Sequence, residues 1–355
     1  MPTRHVALIP GEDAAPEAFE PTLELIDQLG LDIAWQRPPV GLAARESHGS
    51  SFPEEARQSI DSCDTTFFGA TSGPSAQALF YLRWGKQTYA NVRPARFLPG
   101  ARSPLAEPEG VDLVIVRENL EDLYVFAEGE LEDLEAAAIM SGTFRRPVHE
   151  LGPGRFALKV ITEAGSERVL RFAFELARQR RLQGRPGKVS VGTKHNMLPR
   201  SDGLFRDVAC RVATEHPDIG FESFIVDDLA HRLVAAAGNF DVVVLPNLYG
   251  DILSDAAAAL VGGLGLAPSG CFGERYAYFE TAHGTAPDIA GQGIINPTAT
   301  ILSGVMMLEY LGFAEAAHAL GAAVEAVYSE GRVLTPDQGG SASTRDFCAA
   351  VAARL

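Results

Sequence analysis

Short apolar runs rich in β-branched residues recur along this chain, and several are followed by a turn and a stretch of helical period. His5-Val-Ala-Leu-Ile-Pro-Gly11 leads into an amphipathic segment from about Pro16 to Leu29. Thr65-Thr-Phe-Phe-Gly-Ala70 leads, through Thr71 to Ser75, into a predicted helix ending near Lys86. Val111-Asp-Leu-Val-Ile-Val116, Lys188-Val-Ser-Val-Gly192 and Phe240-Asp-Val-Val-Val-Leu245 read as further buried strands. Runs of this kind suit strands covered on both faces, and their alternation with helices restricts the chain to an α/β architecture. The Pro- and Gly-dense stretch from Leu98 to Gly110 marks a crossing between two subdomains, for which 355 residues suffice.

Composition excludes some functions. A formal net charge of −16 without a Lys/Arg tract disfavours nucleic acid as a partner. No run of about 18 apolar residues offers a membrane span, and the first residues lack a signal-peptide pattern, so a cytoplasmic protein is expected. Cys63, Cys210, Cys271 and Cys348 are scattered, as structural thiols would be.

The chemistry-bearing residues cluster after the strands. Pro246-Asn-Leu-Tyr-Gly-Asp-Ile-Leu-Ser-Asp255 follows a buried run and starts a helix, so Asp251 and Asp255 share one helix face. That pair is either a solvated face or part of a cation site. Asp227, after the run Phe221 to Val226, can supply a third oxygen ligand for Mg²⁺ or Mn²⁺. Asp228 competes for that role but suits an N-cap for a helix starting at Leu229. Arg83, Arg93 and Arg117 lie near the ends of core elements, where together they would grip carboxylates, although singly each also suits a surface ion pair. Tyr124 and Lys194 form a candidate proton-transfer pair, each expected to release its proton more readily beside cations; a buried phenol and a snorkelling amine are the structural alternative. His195 and His283 lack triad or zinc spacing. No G-x-G-x-x-G follows a strand, so no Rossmann dinucleotide site is supported. The loop His283-Gly-Thr-Ala-Pro-Asp-Ile-Ala-Gly291 is the alternative nucleotide site, with Asp288 able to accept from ribose hydroxyls.

Over nearly its whole length the chain resembles the β-decarboxylating dehydrogenases, the family of isocitrate, 3-isopropylmalate, homoisocitrate and tartrate or D-malate dehydrogenases. Tyr89-Ala-Asn-Val-Arg-Pro, Val116-Arg-Glu-Asn-Leu-Glu-Asp-Leu-Tyr, Lys194-His-Asn, Ser201-Asp-Gly-Leu-Phe, the Pro246–Asp255 and His283–Gly291 motifs, and Asn296-Pro-Thr-Ala carry the likeness in order. It implies a two-domain fold with a mixed twisted sheet flanked by helices: residues 1–98 plus 256–355 as the cofactor-binding domain, and 99–255 as the central substrate and dimerisation domain. Residues 129–157 are expected to form an arm that packs on a partner. It further implies Asp251 and Asp255 binding Mg²⁺ or Mn²⁺ in one subunit of a homodimer, with Asp227 and Lys194 reaching in from the other. Lys194 would help deprotonate the substrate hydroxyl, Tyr124 would protonate C3 after decarboxylation, and Arg83, Arg93 and Arg117 would clamp carboxylates. By the same likeness Asn196, His283, Gly284, Thr285, Ala286, Asp288, Ile289 and Asn296 bind the cofactor, and Asp288 before Ile289 looks like the NAD-type members.

Two departures stand out. The family's first loop, G-D-G-I-G-P-E, here reads Gly11-Glu-Asp-Ala-Ala-Pro-Glu17, losing two glycines. The side chains one and two turns before Arg83, which by the resemblance face the C3 substituent, are Ala76, Gln77, Leu79 and Phe80, matching neither the isocitrate nor the isopropylmalate pattern. Leu79 and Phe80 favour an apolar or small substituent. The expected activity is therefore NAD- and metal-dependent oxidative decarboxylation of a 3-substituted (R)-malate, with isocitrate, homoisocitrate, tartrate or D-malate as alternative substrates. A catalytically retired regulatory subunit is the reading from another class.

Overall fold

A computed structural model describes residues 2–355. Ten strands form one sheet: β1 (Arg4–Ile9), β2 (Ile33–Gln36), β3 (Thr65–Phe68), β4 (Ala90–Arg96), β5 (Asp112–Glu118), β8 (Lys188–Thr193), β9 (Gly220–Ile225), β10 (Val242–Leu245), β11 (Pro268–Phe272) and β12 (Ala277–Thr281). A separate antiparallel pair, β6 (Glu128–Glu130) and β7 (Arg155–Ala157), lies in the 129–157 region. The order across the large sheet is β2-β1-β3-β12-β11-β4-β5-β10-β8-β9. Parallel blocks at the two ends meet through antiparallel pairing of β12 with β11, β11 with β4, and β4 with β5. The mixed sheet flanked by helices is as expected from the sequence.

Burial on both faces explains the uninterrupted apolar runs. Val114, Val116, Val242 and Val244 point into a cluster with Leu170, Phe174 and Phe205, while Leu113, Ile115, Val243 and Leu245 point into another with Leu229, Leu233, Leu253 and Ala257. The first cluster is covered by the helices Glu163–Leu182 and Ser201–Thr214, the second by Val226–Ala235 and Asn247–Leu260. A third cluster draws on both chain ends, joining Val6, Phe19 and Phe67 to Phe279, Ile301, Val324 and Phe347. No described helix is long and apolar enough to cross a membrane.

Two local expectations are corrected. The helix expected through Lys86 is α-helical only over Ala76–Phe80 and continues as a π-turn over Tyr81–Gly85. A Cβ on Gly85 would lie 2.5 Å from the Tyr81 ring, whose hydroxyl donates to Asp61 at 2.5 Å, so glycine lets that ring fold over the wider turn. The helix after β9 begins at Val226, so Asp228 lies inside its first turn and pairs with Arg232 at 2.8 Å instead of capping. Asp13, at one of the two missing loop glycines, keeps a left-handed φ of 55°, whereas Ala15 is already helical. Ser343 caps the last helix as expected, accepting from the Asp346 N–H at 3.1 Å.

The central block is fastened by Asp241, fully buried at the start of β10. It accepts from Arg180 Nε at 2.6 Å and from the main-chain N–H groups of Gly187 and Lys188 at 2.7 and 3.1 Å. Asp241→Ala leaves Arg180 Nε and the Gly187 and Lys188 N–H groups without their acceptor, although Arg180 keeps Asp112, and should cost about 3–5 kcal/mol. Denaturant titration checks this, and a loss under about 1 kcal/mol would contradict it.

Candidate active site

β5 and β10 lie side by side and parallel, so the segments that leave their C-terminal ends meet. From β5 come Arg117 and, past a turn with Asp122 at φ 69°, Tyr124. From β10 comes the helix Asn247–Leu260, carrying Asn247, Asp251 and Asp255 at successive four-residue steps. Arg117, only 2% exposed, donates from Nε to Asn247 Oδ1 at 2.7 Å and from Nη1 to Asp251 Oδ1. Arg93, opposite Ile115 on the neighbouring strand, donates from Nη1 to Ser254 Oγ at 2.8 Å and to Asp255 Oδ1 at 3.2 Å, with Asp251 Oδ1 at 3.4 Å. The Tyr124 hydroxyl donates to the second Asp251 oxygen at 2.8 Å. Arg83, on the π-turn, donates to Tyr278 Oη at 3.2 Å and faces Glu280 at 3.4 Å.

The electrostatics of this cluster follow from burial and proximity. Burial, reinforced by the Arg93 charge, pulls the Arg117 guanidinium down to about 10, against the attraction of Asp251. Asp255 is raised by burial and by Asp251, against the pull of Arg93. Tyr124 is raised as well, by burial and then by its hydrogen bond to Asp251, with Arg117 and Arg83 pulling the other way. This reverses the expected acidification: the carboxylate that accepts the phenol proton outweighs the cations behind it.

The two half-exposed carboxylates thus converge on one guanidinium and offer only oxygen donors, which suits a hard divalent cation with waters in its shell. Asp227 does not join them within the chain. It forms a 2.5 Å pair with Lys194 Nζ, and neither residue of this exposed pair bonds to Asp251 or Asp255. Among the described residues no three metal-ligating side chains of one chain converge.

Of the residues expected at the substituent, Phe80 packs against Trp84 and Phe126, with ring centroids 5.3 and 5.8 Å away. The Trp84 Nε1–H donates to Leu120 O, so this aromatic group leans on the segment leading to Tyr124. Leu79 turns inward instead, against the core cluster that includes Ile9 and Phe68. Gln77 is exposed and accepts from Ser51 Oγ at 3.2 Å.

The loop His283–Gly291 is braced by the altered first loop. Ala14 N–H donates to Thr285 O, and the Glu17 carboxylate accepts from Gly291 and Gly293 N–H at 2.5 and 2.6 Å. Ile289 packs with Ala14, Ala18 and Ile295, leaving Asp288 and Gly284 exposed, and Ala286 turns the chain at φ 50°. Burial lowers the His283 pKa; Nδ1 lies 2.8 Å from Gly284 O, and Nε2 is shielded from solvent without a partner. A neutral ring donating through Nδ1 leaves Nε2 as a free acceptor, a feature that fits a hydrogen-bonding ligand. Asn196 is exposed. Asn296 is not: it donates to Tyr328 Oη and Asp337 and accepts from the Thr298 N–H, so its side chain ties the start of the helix Thr298–Tyr310 to the residues around Tyr328 and Asp337.

Sequence reasoning missed several contributors. Asn247 sits four residues before Asp251, so helical spacing already pointed to it. Glu118 carried no such signal: its buried carboxylate accepts from the main-chain N–H groups of Leu120 and Glu121 at 2.8–3.1 Å, holding the turn toward Tyr124. Lys159 bridges Asp202 at 2.7 Å and Asp122 at 3.4 Å, and Asp202 also accepts from Lys194 N–H at 2.6 Å.

Comparison with known proteins matches residues 5–351 to the family described as isocitrate/isopropylmalate dehydrogenase. The chain is 40% identical over 350 residues to the 3-isopropylmalate/3-methylmalate dehydrogenase of Methanocaldococcus jannaschii, covering 99% of this chain and 98% of that protein. It is 42% identical over 359 residues to the isocitrate/homoisocitrate dehydrogenase of Thermus thermophilus, with 99% and 98% covered. The crystal structure of isocitrate dehydrogenase from Methylococcus capsulatus superposes with a TM-score of 0.86 at 36% identity, covering 99% of both chains.

Burial pushes the Glu118 carboxyl up to about 7 from an ordinary 4.5, despite its main-chain donors. The folded chain therefore holds this proton more tightly than the unfolded chain, and the stability it contributes is full below about 4.5 and lost as pH rises through 7. Glu118→Gln should remove that loss, about 3 kcal/mol at 1.36 kcal/mol per unit. Unfolding midpoints at pH 5 and pH 8 read it out; an unchanged difference between them would exclude the effect.

Proposed function

Because the chain belongs to the isocitrate/isopropylmalate dehydrogenase family, we propose that it catalyses the NAD- and Mg²⁺- or Mn²⁺-dependent oxidative decarboxylation of a 3-substituted (R)-malate to a 2-oxo acid. The observation that carries this reading is the convergence of Asp251, Asp255, Arg93, Arg117 and Tyr124 where β5 and β10 end. Asp251 and Asp255, with Asp227 of a second copy of the chain, would hold the cation, and the His283–Gly291 loop would hold the dinucleotide. When bound, the cation supplies Lewis-acid stabilisation of the oxygen at C2 and the nicotinamide accepts hydride.

The chain's own groups do the rest. Arg83, Arg93 and Arg117 orient the substrate carboxylates. Lys194 of the second copy takes the proton from the C2 hydroxyl. The electron pair left at C3 when the β-carboxylate departs as CO₂ is protonated by the Tyr124 hydroxyl, whose raised pKa keeps it protonated until then. A homodimer is supported by the Lys194–Asp227 pair, whose side chains bond neither Asp251 nor Asp255 of their own chain, and by the exposed apolar Phe126, Met140 and Phe144 in and beside the arm. The Phe80–Trp84–Phe126 group beside Tyr124 favours an alkyl substituent at C3 over a carboxylated one.

A panel of 3-isopropylmalate, 3-methylmalate, isocitrate, homoisocitrate, D-malate and tartrate, assayed for NADH or NADPH with Mn²⁺ present or chelated, tests the proposal. A 3-alkylmalate should turn over fastest, with NAD and only with metal; faster isocitrate turnover would overturn the substrate ranking, and no turnover by a folded protein would favour a retired subunit. Asp251→Asn should reduce metal-dependent turnover by at least about 100-fold. Undiminished activity would remove Asp251 from the metal site.

A further inference from the structure

A cavity of ≈ 890 Å³ opens beside the π-turn that carries Arg83, yet none of Arg83, Arg93, Arg117, Tyr124 or Asp251 lines it. Its walls come from distant parts of the chain: Arg4 at the start of β1, Lys86 just after the π-turn, Arg168 on the helix Glu163–Leu182, and Arg275 between β11 and β12. Against these four cations stand three lining carboxylates, Asp61, Asp64 and Glu274. The pocket therefore holds a local positive excess in a chain whose formal net charge is −16.

The internal pairing leaves donors over. Lys86 is committed to Asp61 at 2.6 Å, and one end of Arg4 leans on Asp64 at 3.6 Å. Arg168 reaches only to 3.9 Å from Glu118 and otherwise lies over the Tyr89 ring, 5.1 Å from its centroid. The side chains of Arg4 and Arg168 are about a third exposed, at 32% and 31%, although their Nε atoms are shielded. Arg275 is exposed and makes no ion pair among the described residues. Two loosely paired guanidinium groups and a free one around one cavity call for acceptor oxygens, and the volume exceeds what a single inorganic ion fills.

We propose that this cavity is a binding site for a small polyvalent oxyanion, a molecule carrying two or more carboxylate or phosphate groups, separate from the catalytic cleft. Such a ligand engages Arg4, Arg168 and Arg275 together. Gly85 of the π-turn and the next two residues, Lys86 and Gln87, line the cavity, so it adjoins the turn that carries Arg83.

Calorimetric titration of the full-length protein with pyrophosphate and, separately, with tricarballylate tests this. One equivalent of at least one probe should bind with a Kd of roughly 1 mM or tighter. The double variant Arg168→Gln, Arg275→Gln should bind at least about tenfold more weakly, and Asp251→Asn should bind as the wild type does. If the double variant is misfolded by circular dichroism, Arg275→Gln alone should still weaken binding about threefold or more. Preference for pyrophosphate would identify phosphate groups as the ligand's anions, and preference for tricarballylate carboxylates. Absence of binding by both probes, equal affinity in the folded pocket variants, or loss of binding in Asp251→Asn would overturn the assignment.

Discussion

Arg117 is a full positive charge placed in the interior where a strand end crosses a helix, and the candidate site is built around keeping it there. A buried guanidinium is tolerated only with close, well-directed acceptors. Asn247 and Asp251 provide them from adjacent turns of one helix, which must then lie unusually near β5. Gly250 makes that approach possible: a Cβ there would be 2.7 Å from the Arg117 Cβ. The same contact fixes Asp251 for Tyr124, and Arg93 then neutralises the Asp251–Asp255 repulsion that the helix spacing creates.

What could be read in advance was what depends on short-range spacing. Buried runs of alternating inward faces gave β5 and β10, and the four-residue step put Asp251 and Asp255 on one face, because both follow from local periodicity. What could not be read depends on contacts distant in the chain. The change from α to π geometry at Tyr81 goes with a ring that bonds Asp61 across 20 residues, and the inward turn of Leu79 depends on a cluster drawn from Ile9, Phe68 and Tyr278. The direction of the Tyr124 shift depends on which neighbour its hydroxyl reaches, and Asp251 is 127 residues away. For Asp228 the difference is smaller, since its helix starts at Val226, three residues before the start that the pattern Asp-Asp-Leu suggests.

Support for the reacting groups is itself charged. Lys159, returning from the arm, joins Asp122 and Asp202, and through them ties the turn before Tyr124 to the segment that begins with Lys194. Asp122 also accepts from the Leu248 N–H at 2.9 Å, at the start of the helix that carries Asp251. Three separate stretches of chain are thereby registered on one buried lysine, which explains why carboxylates with no expected chemistry are fully buried beside the site.

The continuous sheet has a mechanical consequence. Cores drawn from the chain ends and from the middle sit on either side of β11, β4 and β5, yet no loose linker separates them: the three strands are hydrogen-bonded straight through. Relative movement of the two flanks must therefore be absorbed as added or released twist along these strands, spread over many bonds. Such a joint is closer to a leaf spring than to a hinge, because no single residue between the flanks takes up the whole rotation.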